Sequence, residues 1–598
     1  MSGRAAAAAL VLLAAARIAA AGADEAIPPG ACFSVPACET ECADGFAHSC
    51  RKLGWIYDKG LGVPADPARA ARYYDRACEL GDTQACCDLG AMCLEGRGTR
   101  KDPGDAATLF RRACNRGDGR GCANLAMLRM QGKGVSESLP KAVALLKKGA
   151  ATGNGRACAL LGYLYYTGAG VDRDPERAVG LFKRACTTGY AEGCLNLAQC
   201  CEKGVGLPAD PVRARELYGT ACEKGEARAC SELGRMCLLG IGGPRDPAAS
   251  LKWFRQGCDG GSPRGCTGLA TLYYEGKAVP RNWAEALRLF TKACDGGDEN
   301  ACTGLGVLYE RGEGVPADAE KALTYFRRGC EEGDPAGCTS LAVALLLHGA
   351  AADEAERAVD LLHEACGQGE AAACTWLGSL YLDGAGVPRD LGMAATLFEE
   401  GCRGGNALGC SNLGLIYDEG LGVDRDPAKA AAYYLKACDG GDMSGCHNLA
   451  AACETGQGVP KDETRALALY HRACAEGEVV SCAILGMRYA EGRGVNQEGR
   501  RAVELLRRAC DRGLAKSCSD LGLLYEQGVC VEQNADTAIS LYQQGCTAGD
   551  ARGCGRLGAL HVKAGRVETG KKLLAKGCEG GDPRACAELR KLEGSPRK

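Results

Sequence analysis

Aromatic side chains are scarce, at 5% of the 598 residues, which argues against a large sugar-stacking surface. Acidic and basic residues nearly balance, the formal net charge is −3, and no basic block interrupts the chain. The electrostatic footprint of a nucleic-acid binder is therefore missing, and no nucleic-acid partner is expected. Beyond the N-terminus no uninterrupted apolar run reaches about 18 residues, so no membrane span is expected. The six histidines (His48, His348, His363, His447, His471 and His561) are scattered, with no His-Glu-x-x-His, and no C-x-x-C occurs. Neither pattern of a zinc site is present, and no metal or other cofactor is expected.

What is abundant is cysteine, 40 residues, and glycine, 87. Such a density of thiols implies an oxidising compartment. The first residues fit export: Arg4 precedes an apolar run from Ala5 to Ala16, and Ala21-Gly22-Ala23 makes a small-residue cleavage site before Asp24. Residues 1–23 thus look like a secretory signal, placing the protein outside the cell or in the periplasm. An acid-free leader containing Arg17 also suits mitochondrial import, which makes the intermembrane space the alternative. Residues 24–41 are proline-rich and read as an irregular N-terminal cap in which Cys32 can pair with Cys38.

From residue 42 the cysteines fall in pairs eight positions apart: Cys42 and Cys50, Cys78 and Cys86, Cys114 and Cys122, Cys186 and Cys194, Cys222 and Cys230, Cys258 and Cys266, Cys294 and Cys302, Cys330 and Cys338, Cys366 and Cys374, Cys402 and Cys410, Cys438 and Cys446, Cys474 and Cys482, Cys510 and Cys518, Cys546 and Cys554, Cys578 and Cys586. The step is 36 residues up to Cys546, with Ala150 a failed copy opposite Cys158, and 32 at the last step. A fixed period of this length means a repeat array. Pairing within each unit leaves no orphan at either end, whereas pairing Cys338 to Cys366 and its equivalents strands Cys42 and Cys586. The eight-residue offset also survives where the period shrinks. Fifteen local disulfides are expected.

Gly follows each first cysteine by three, from Gly45 to Gly581, where a helix ends at positive φ. Capping residues come next: Asp82, Asp118, Ser262, Asp298, Asp334, Asn406, Asp442, Asp550 and Asp582. Leu413, Gly414 and Tyr417 form one helical stripe, and Leu53, Gly54 and Tyr57 or Leu521, Gly522 and Tyr525 repeat it. Gly-x-Gly-Val breaks that helix, and Asp-Pro pairs such as Asp426-Pro427 start the next. Each hairpin exposes apolar surface that only a neighbour covers, so stacking is obligatory. The expected fold is all-α, an α/α solenoid superhelix of about fifteen disulfide-stapled hairpins. It spans 42–592 without a domain boundary, and residues 593–598 form a disordered tail.

The Leu-Gly-x-x-Tyr, Gly-x-Gly-Val and C-x₇-C pattern resembles Sel-1-like repeats, and in detail their cysteine-rich secreted branch, the β-lactamase-like Helicobacter cysteine-rich proteins. The resemblance implies a scaffold that holds protein or peptide on an inner helical face, as the similar tetratricopeptide repeats do. The branch's β-lactamase label implies binding of β-lactams or peptidoglycan fragments, or slow hydrolysis.

For hydrolysis, Ser-x-x-Lys occurs at Ser49–Lys52, Ser138–Lys141 and Ser595–Lys598, unaccompanied by Lys-Thr-Gly or Ser-Asp-Asn. No catalytic residue is assigned. Among the remaining cysteines, Cys93, Cys201, Cys237 and Cys453 stand at the recurring Tyr position, Cys87, Cys158, Cys200 and Cys530 elsewhere. They suit packing, with a thiol-dependent haem or metal site as a third function. The position two after the second cysteine holds Asn124, Asn196, Asn412 and Asn448. In the resembled repeats it faces the groove, where an amide both donates to and accepts from a peptide backbone. The reading is an exported, monomeric, non-catalytic peptide-binding scaffold.

Overall fold

The computed structural model describes residues 32–347 and 352–593. Among them are thirty-two helices and no strand, most helices being 13 residues long. The signal reading, His348 and the Ser595–Lys598 motif lie outside the described residues. The chain forms two compact units, one ending at Ala319 and one starting at Glu320. The unbroken 36-residue period suggests a single unit instead. The loop before Ala319 carries the same Gly312 and Gly314 pair as the others, so no local signal marks the division.

One hairpin shows how the sequence makes the fold. The helix Ala407–Glu419 ends at Gly420 with φ 72°, and Asp426 caps the helix Pro427–Asp439 by accepting from the Lys429 amide at 3.0 Å. Asp66, Asp102, Asp174, Asp210 and Asp246 cap their helices in the same way. The helix Pro427–Asp439 stops at Gly440, Gly441 takes φ 92°, and Asp442 caps the next helix, Met443–Thr455. All sixteen glycines at this turn have positive φ. Ser262 departs from the expected capping: its side chain accepts no amide because it is buried and its hydroxyl accepts from Ser231 Oγ at 2.9 Å.

Two other glycines of the motif are required by close packing. A Cβ on Gly414 would lie 2.6 Å from the Tyr434 ring, and Gly54, Gly90, Gly162 and Gly522 face Tyr74, Phe110, Phe182 and Tyr542 likewise. The glycine thus seats the aromatic ring of the paired helix. In the loop, Gly458 has φ 71° and a Cβ there would stand 1.9 Å from the Pro427 carbonyl oxygen, so only glycine lets the loop lie on the preceding repeat.

All fifteen pairs bond locally, with Cα–Cα distances between 4.4 and 4.9 Å. Cys42 bonds Cys50, Cys78 bonds Cys86, Cys114 bonds Cys122, Cys186 bonds Cys194 and Cys222 bonds Cys230. Cys258 bonds Cys266, Cys294 bonds Cys302, Cys330 bonds Cys338, Cys366 bonds Cys374 and Cys402 bonds Cys410. Cys438 bonds Cys446, Cys474 bonds Cys482, Cys510 bonds Cys518, Cys546 bonds Cys554 and Cys578 bonds Cys586. The second cysteine sits in the first turn of its helix. Cys50, Cys86, Cys122, Cys194, Cys230, Cys266, Cys302, Cys338, Cys374, Cys410, Cys446, Cys482, Cys518 and Cys554 are all buried there, and Cys586, in the last helix, is half-exposed. As bonded sulfurs beneath the surface, the buried members staple the hairpins together and do not face a ligand.

At the N-terminus Cys32 bonds Cys38. The cap there is not irregular throughout: residues Val35–Ala43 form a helix, because Ser34 caps it and Pro36 sits in its first turn.

Candidate functional site

Each hairpin opens with a helix that carries the second cysteine, and the residue two after that cysteine is half-exposed on it in most repeats, buried at Asp520 and exposed at Trp376. In four repeats this residue is tied to the residue two before the second cysteine of the following repeat. Asp88 pairs with Arg120 at 2.7 Å, Asn124 accepts from Arg156 at 2.9 Å, Glu232 meets Arg264 at 3.6 Å and Asp520 meets Arg552 at 3.0 Å. The position therefore serves first as a rung between neighbouring repeats. Asn124, offered by its sequence position as a peptide contact, has its carbonyl occupied by Arg156, whose other amino group lies on Met127 Sδ.

The rungs are different in the second unit between residues 376 and 480. There the corresponding pairs are Trp376 with Leu408, Asn412 with Ser444, and Asn448 with Val480. Trp376, Leu408 and Val480 are 38%, 48% and 42% exposed. Leu415, three residues after Asn412 and on the same helical face, is 41% exposed. Asn196, Asn412 and Asn448 are half-buried. None of these three amides makes a side-chain hydrogen bond among the described residues. Sequence position alone grouped the four asparagines; the structure separates Asn124 from the rest.

The candidate nucleophiles are held in structural roles. Ser49 is buried and donates to Glu41 Oε2 at 2.5 Å, while Lys52 donates to the Cys32 carbonyl at 2.6 Å. The two partners of this Ser-x-x-Lys are thus each bonded elsewhere. Ser138 stands just before the helix Leu139–Ala151 without capping it. A Ser–His–Glu group does occur. His447 Nδ1 lies 2.9 Å from Ser481 Oγ and 3.5 Å from Glu478 Oε2. Both contacts use the same ring nitrogen, and Ser481 is fully buried, so the ring cannot take a proton from Ser481 while the carboxylate orients its other nitrogen. Burial pushes His447 below its ordinary pKa, against the pull of Glu478.

The free thiols are packing residues. Cys93, Cys201, Cys237 and Cys453 are buried at the tyrosine position, and burial raises each thiol's pKa. Cys200 is pushed up to about 11 by burial first and by Cys201 second, away from the thiolate that would ligate or react. Among the described residues, Cys366, Cys374 and Glu400 come close enough to suggest a metal cluster. Cys366 and Cys374 are bonded to each other and so offer no thiolates.

A further motif was missed in the sequence. Tyr218 donates to Glu202, which Arg235 pairs; Tyr470 donates to Glu454, which Arg488 pairs; Tyr542 donates to Glu526, which Arg556 pairs. The signal was available, since each Glu follows a second cysteine by eight and each Tyr by twenty-four.

The fold is an α/α repeat array with one local cystine per hairpin. A Sel1 repeat model matches residues 47–82, 83–118, 119–154, 155–190, 191–226, 227–262, 263–298, 300–334, 371–406, 407–442, 444–478, 479–514 and 515–550. The chain belongs to the Sel1 repeat family. No curated protein matches it significantly. Among solved structures it is similar to c5321, a protective antigen of uropathogenic Escherichia coli with an SLR fold. That match has 25% identity and a TM-score of 0.51, covering 75% of this chain and 96% of that one. A Sel1 repeat protein from Oxalobacter formigenes is 26% identical, with a TM-score of 0.38, over 54% of this chain and 97% of that one. Helicobacter pylori cysteine rich protein B is 29% identical, with a TM-score of 0.20, over 23% of this chain and 98% of that one.

Proposed function

We propose that this chain is an extracytoplasmic scaffold that holds an extended, uncharged peptide segment along the first helices of the repeats between Trp376 and Met487. The observation that carries this reading is the exchange along the first-helix face that holds the rungs. Charged or charge-assisted rungs at Asp88, Asn124, Glu232 and Asp520 give way to exposed Trp376, Leu408, Leu415 and Val480. Asn412 and Asn448 stand among these apolar residues. Exposed apolar surface interspersed with amides suits a ligand that brings apolar side chains and a backbone to bond. Equivalent positions on stacked helices lie about 9 Å apart, and an extended chain rises about 3.3 Å per residue. The two amides then meet the backbone about three residues apart. Sixteen disulfides support an oxidising compartment. Among the described residues no helix is long and apolar enough to cross a membrane.

The test is titration of unstructured neutral peptides into wild type and the Asn412→Ala/Asn448→Ala double variant. Each lost amide contact should weaken binding by about 0.5–1.5 kcal/mol. Equal binding by both proteins, with the helical content unchanged, removes these residues from the site.

A further inference from the structure

Thirty-four positions after a repeat's first cysteine, a side chain of the next repeat reaches back to that cysteine. Its charge differs along the chain. Lys292 Nζ lies 3.3 Å from the Cys258 carbonyl oxygen and 3.7 Å from Cys258 Sγ. Arg472 donates to the Cys438 carbonyl at 2.9 Å. Gln544 places a neutral amide oxygen 3.7 Å from Cys510 Sγ. At Cys366 the sign is reversed: Glu400 Oε2 lies 3.6 Å from Cys366 Sγ and 4.0 Å from Cys374 Sγ. By sequence, acid occupies this position for two staples, Glu364 for Cys330 and Glu400 for Cys366, next to each other in the second unit.

We propose that this side chain makes the staples of one molecule discriminate among thiol reductants by charge, with Glu400 shielding Cys366–Cys374 from anionic thiols and Lys292 drawing them to Cys258–Cys266. The chemistry is exchange. A thiolate RS⁻ attacks one sulfur of the cystine, the S–S electron pair leaves on the other sulfur, and a mixed disulfide forms. A second RS⁻ attacks the RS sulfur, giving RSSR and the second cysteine thiolate, and both cysteines then take protons from water. The cystine gains two electrons and becomes the dithiol, and two RSH lose them and become RSSR. Negative charge crosses the site twice, on the incoming thiolate and on the departing one. Lys292 lowers the energy of both, because an adjacent cation stabilises thiolate. Glu400 raises both by the same Coulomb interaction.

Absolute rates do not isolate this effect, because Cys258 and Cys266 are each 2% exposed while Cys366 is half-exposed. The ratio of rates for two reductants does isolate it, because any local opening is common to both. The experiment exposes the folded, full chain briefly to cysteamine, a cationic thiol, or to mercaptoethanesulfonate, an anionic one, at equal thiolate concentration and low salt. Alkylation and peptide mapping then give the rate at each cystine. For unit charges near 4 Å in a water-like medium, the cationic-to-anionic ratio at Cys366–Cys374 should exceed that at Cys258–Cys266 by about fivefold or more. Glu400 and Lys292 are exposed, so Glu400→Gln and Lys292→Gln should leave the fold intact. The first should lower the ratio at Cys366–Cys374 alone, and the second should raise it at Cys258–Cys266 alone. Equal ratios at the two cystines, or ratios that do not move in the variants, overturn the proposal.

Discussion

Arg488 pairs with Glu454 across the joint between two repeats, and its side chain is only 8% exposed. Tyr470 completes the group, donating to the other carboxylate oxygen at 3.2 Å, with the Arg488 guanidinium 5.8 Å from its ring centre. Removing one partner of a buried pair leaves the other uncompensated. Glu454 is 37% exposed, so water moderates the loss. Arg488→Ala should destabilise this joint by about 1–3 kcal/mol, below the value for a fully buried pair. Adding Glu454→Gln should recover part of it. Urea unfolding of the two variants checks this; equal stability of Arg488→Ala and wild type contradicts it.

The helices around Ala150 lack a staple. Cys158 is buried and free, and the joint is held by Arg184 donating to the Ala150 carbonyl at 2.7 Å. Hydrogen exchange should show early opening across residues 140–165. Ala150→Cys should form a disulfide with Cys158 and add about 2–3 kcal/mol on the chain-entropy model. Uniform protection along the chain, with no gain in the variant, contradicts this.

The His447 group should make one joint acid-sensitive. Burial holds His447 below its ordinary pKa, so the unfolded segment takes up a proton first as pH falls, and stability declines below about 6.5. Burial works to raise Glu478, but the hydroxyl and amide of Ser481, the Val480 amide and His447 leave it below the usual carboxylate range. Its contribution is present at neutral pH and is lost as pH falls through the depressed value. Both terms therefore have the same sign. Amide protection across residues 443–491, corrected for intrinsic exchange, should fall by up to about tenfold between pH 7 and 5 for a shift of one unit. His447→Gln should flatten the upper part of that change. A pH-independent profile in wild type contradicts the account.

A loop exception predicts coupling between two residues. Cys530 takes φ 69° where most repeats have glycine. It faces Gly499, where Pro67, Pro103, Pro175, Pro211, Pro247 and Pro427 stand in six other repeats, and a Cβ on Gly499 would lie 2.5 Å from Cys530 Cβ. Gly499→Ala should cost about 1–3 kcal/mol through overpacking. In the Cys530→Gly background the cost should be smaller but not lost, because the Cα and carbonyl oxygen of residue 530 stay 2.8 and 2.9 Å from that Cβ. Additive effects of the two substitutions contradict this.

These cases show what the sequence made legible. The turn glycines, the Asp-Pro caps and the cysteine pairs act within a few residues of one another, so their spacing alone specifies hairpins and local disulfides. The Gly499–Cys530 exchange and the Tyr–Glu–Arg groups join residues 16 to 34 apart, and become visible only when repeats are compared in register. The site was legible by position but not by state. The asparagines share one register position, and Arg156 and Arg228 stand at the matching place for Asn124 and Asn196. Yet only Arg156 bonds its asparagine, so side-chain geometry and not residue identity decides which amides stay available to a ligand.

Photo-crosslinking tests the central claim most directly. A neutral, unstructured peptide carrying a photoreactive residue is bound to the oxidised full chain, irradiated and mapped. The account predicts adducts on the first-helix segments 371–383, 407–419, 443–455 and 479–491, at or beside Trp376, Leu408, Leu415 and Val480. They should fall together when Asn412 and Asn448 are both replaced by alanine. Adducts confined to the second helices, such as 427–439 and 463–475, or spread over the first unit without loss in the double variant, would contradict it.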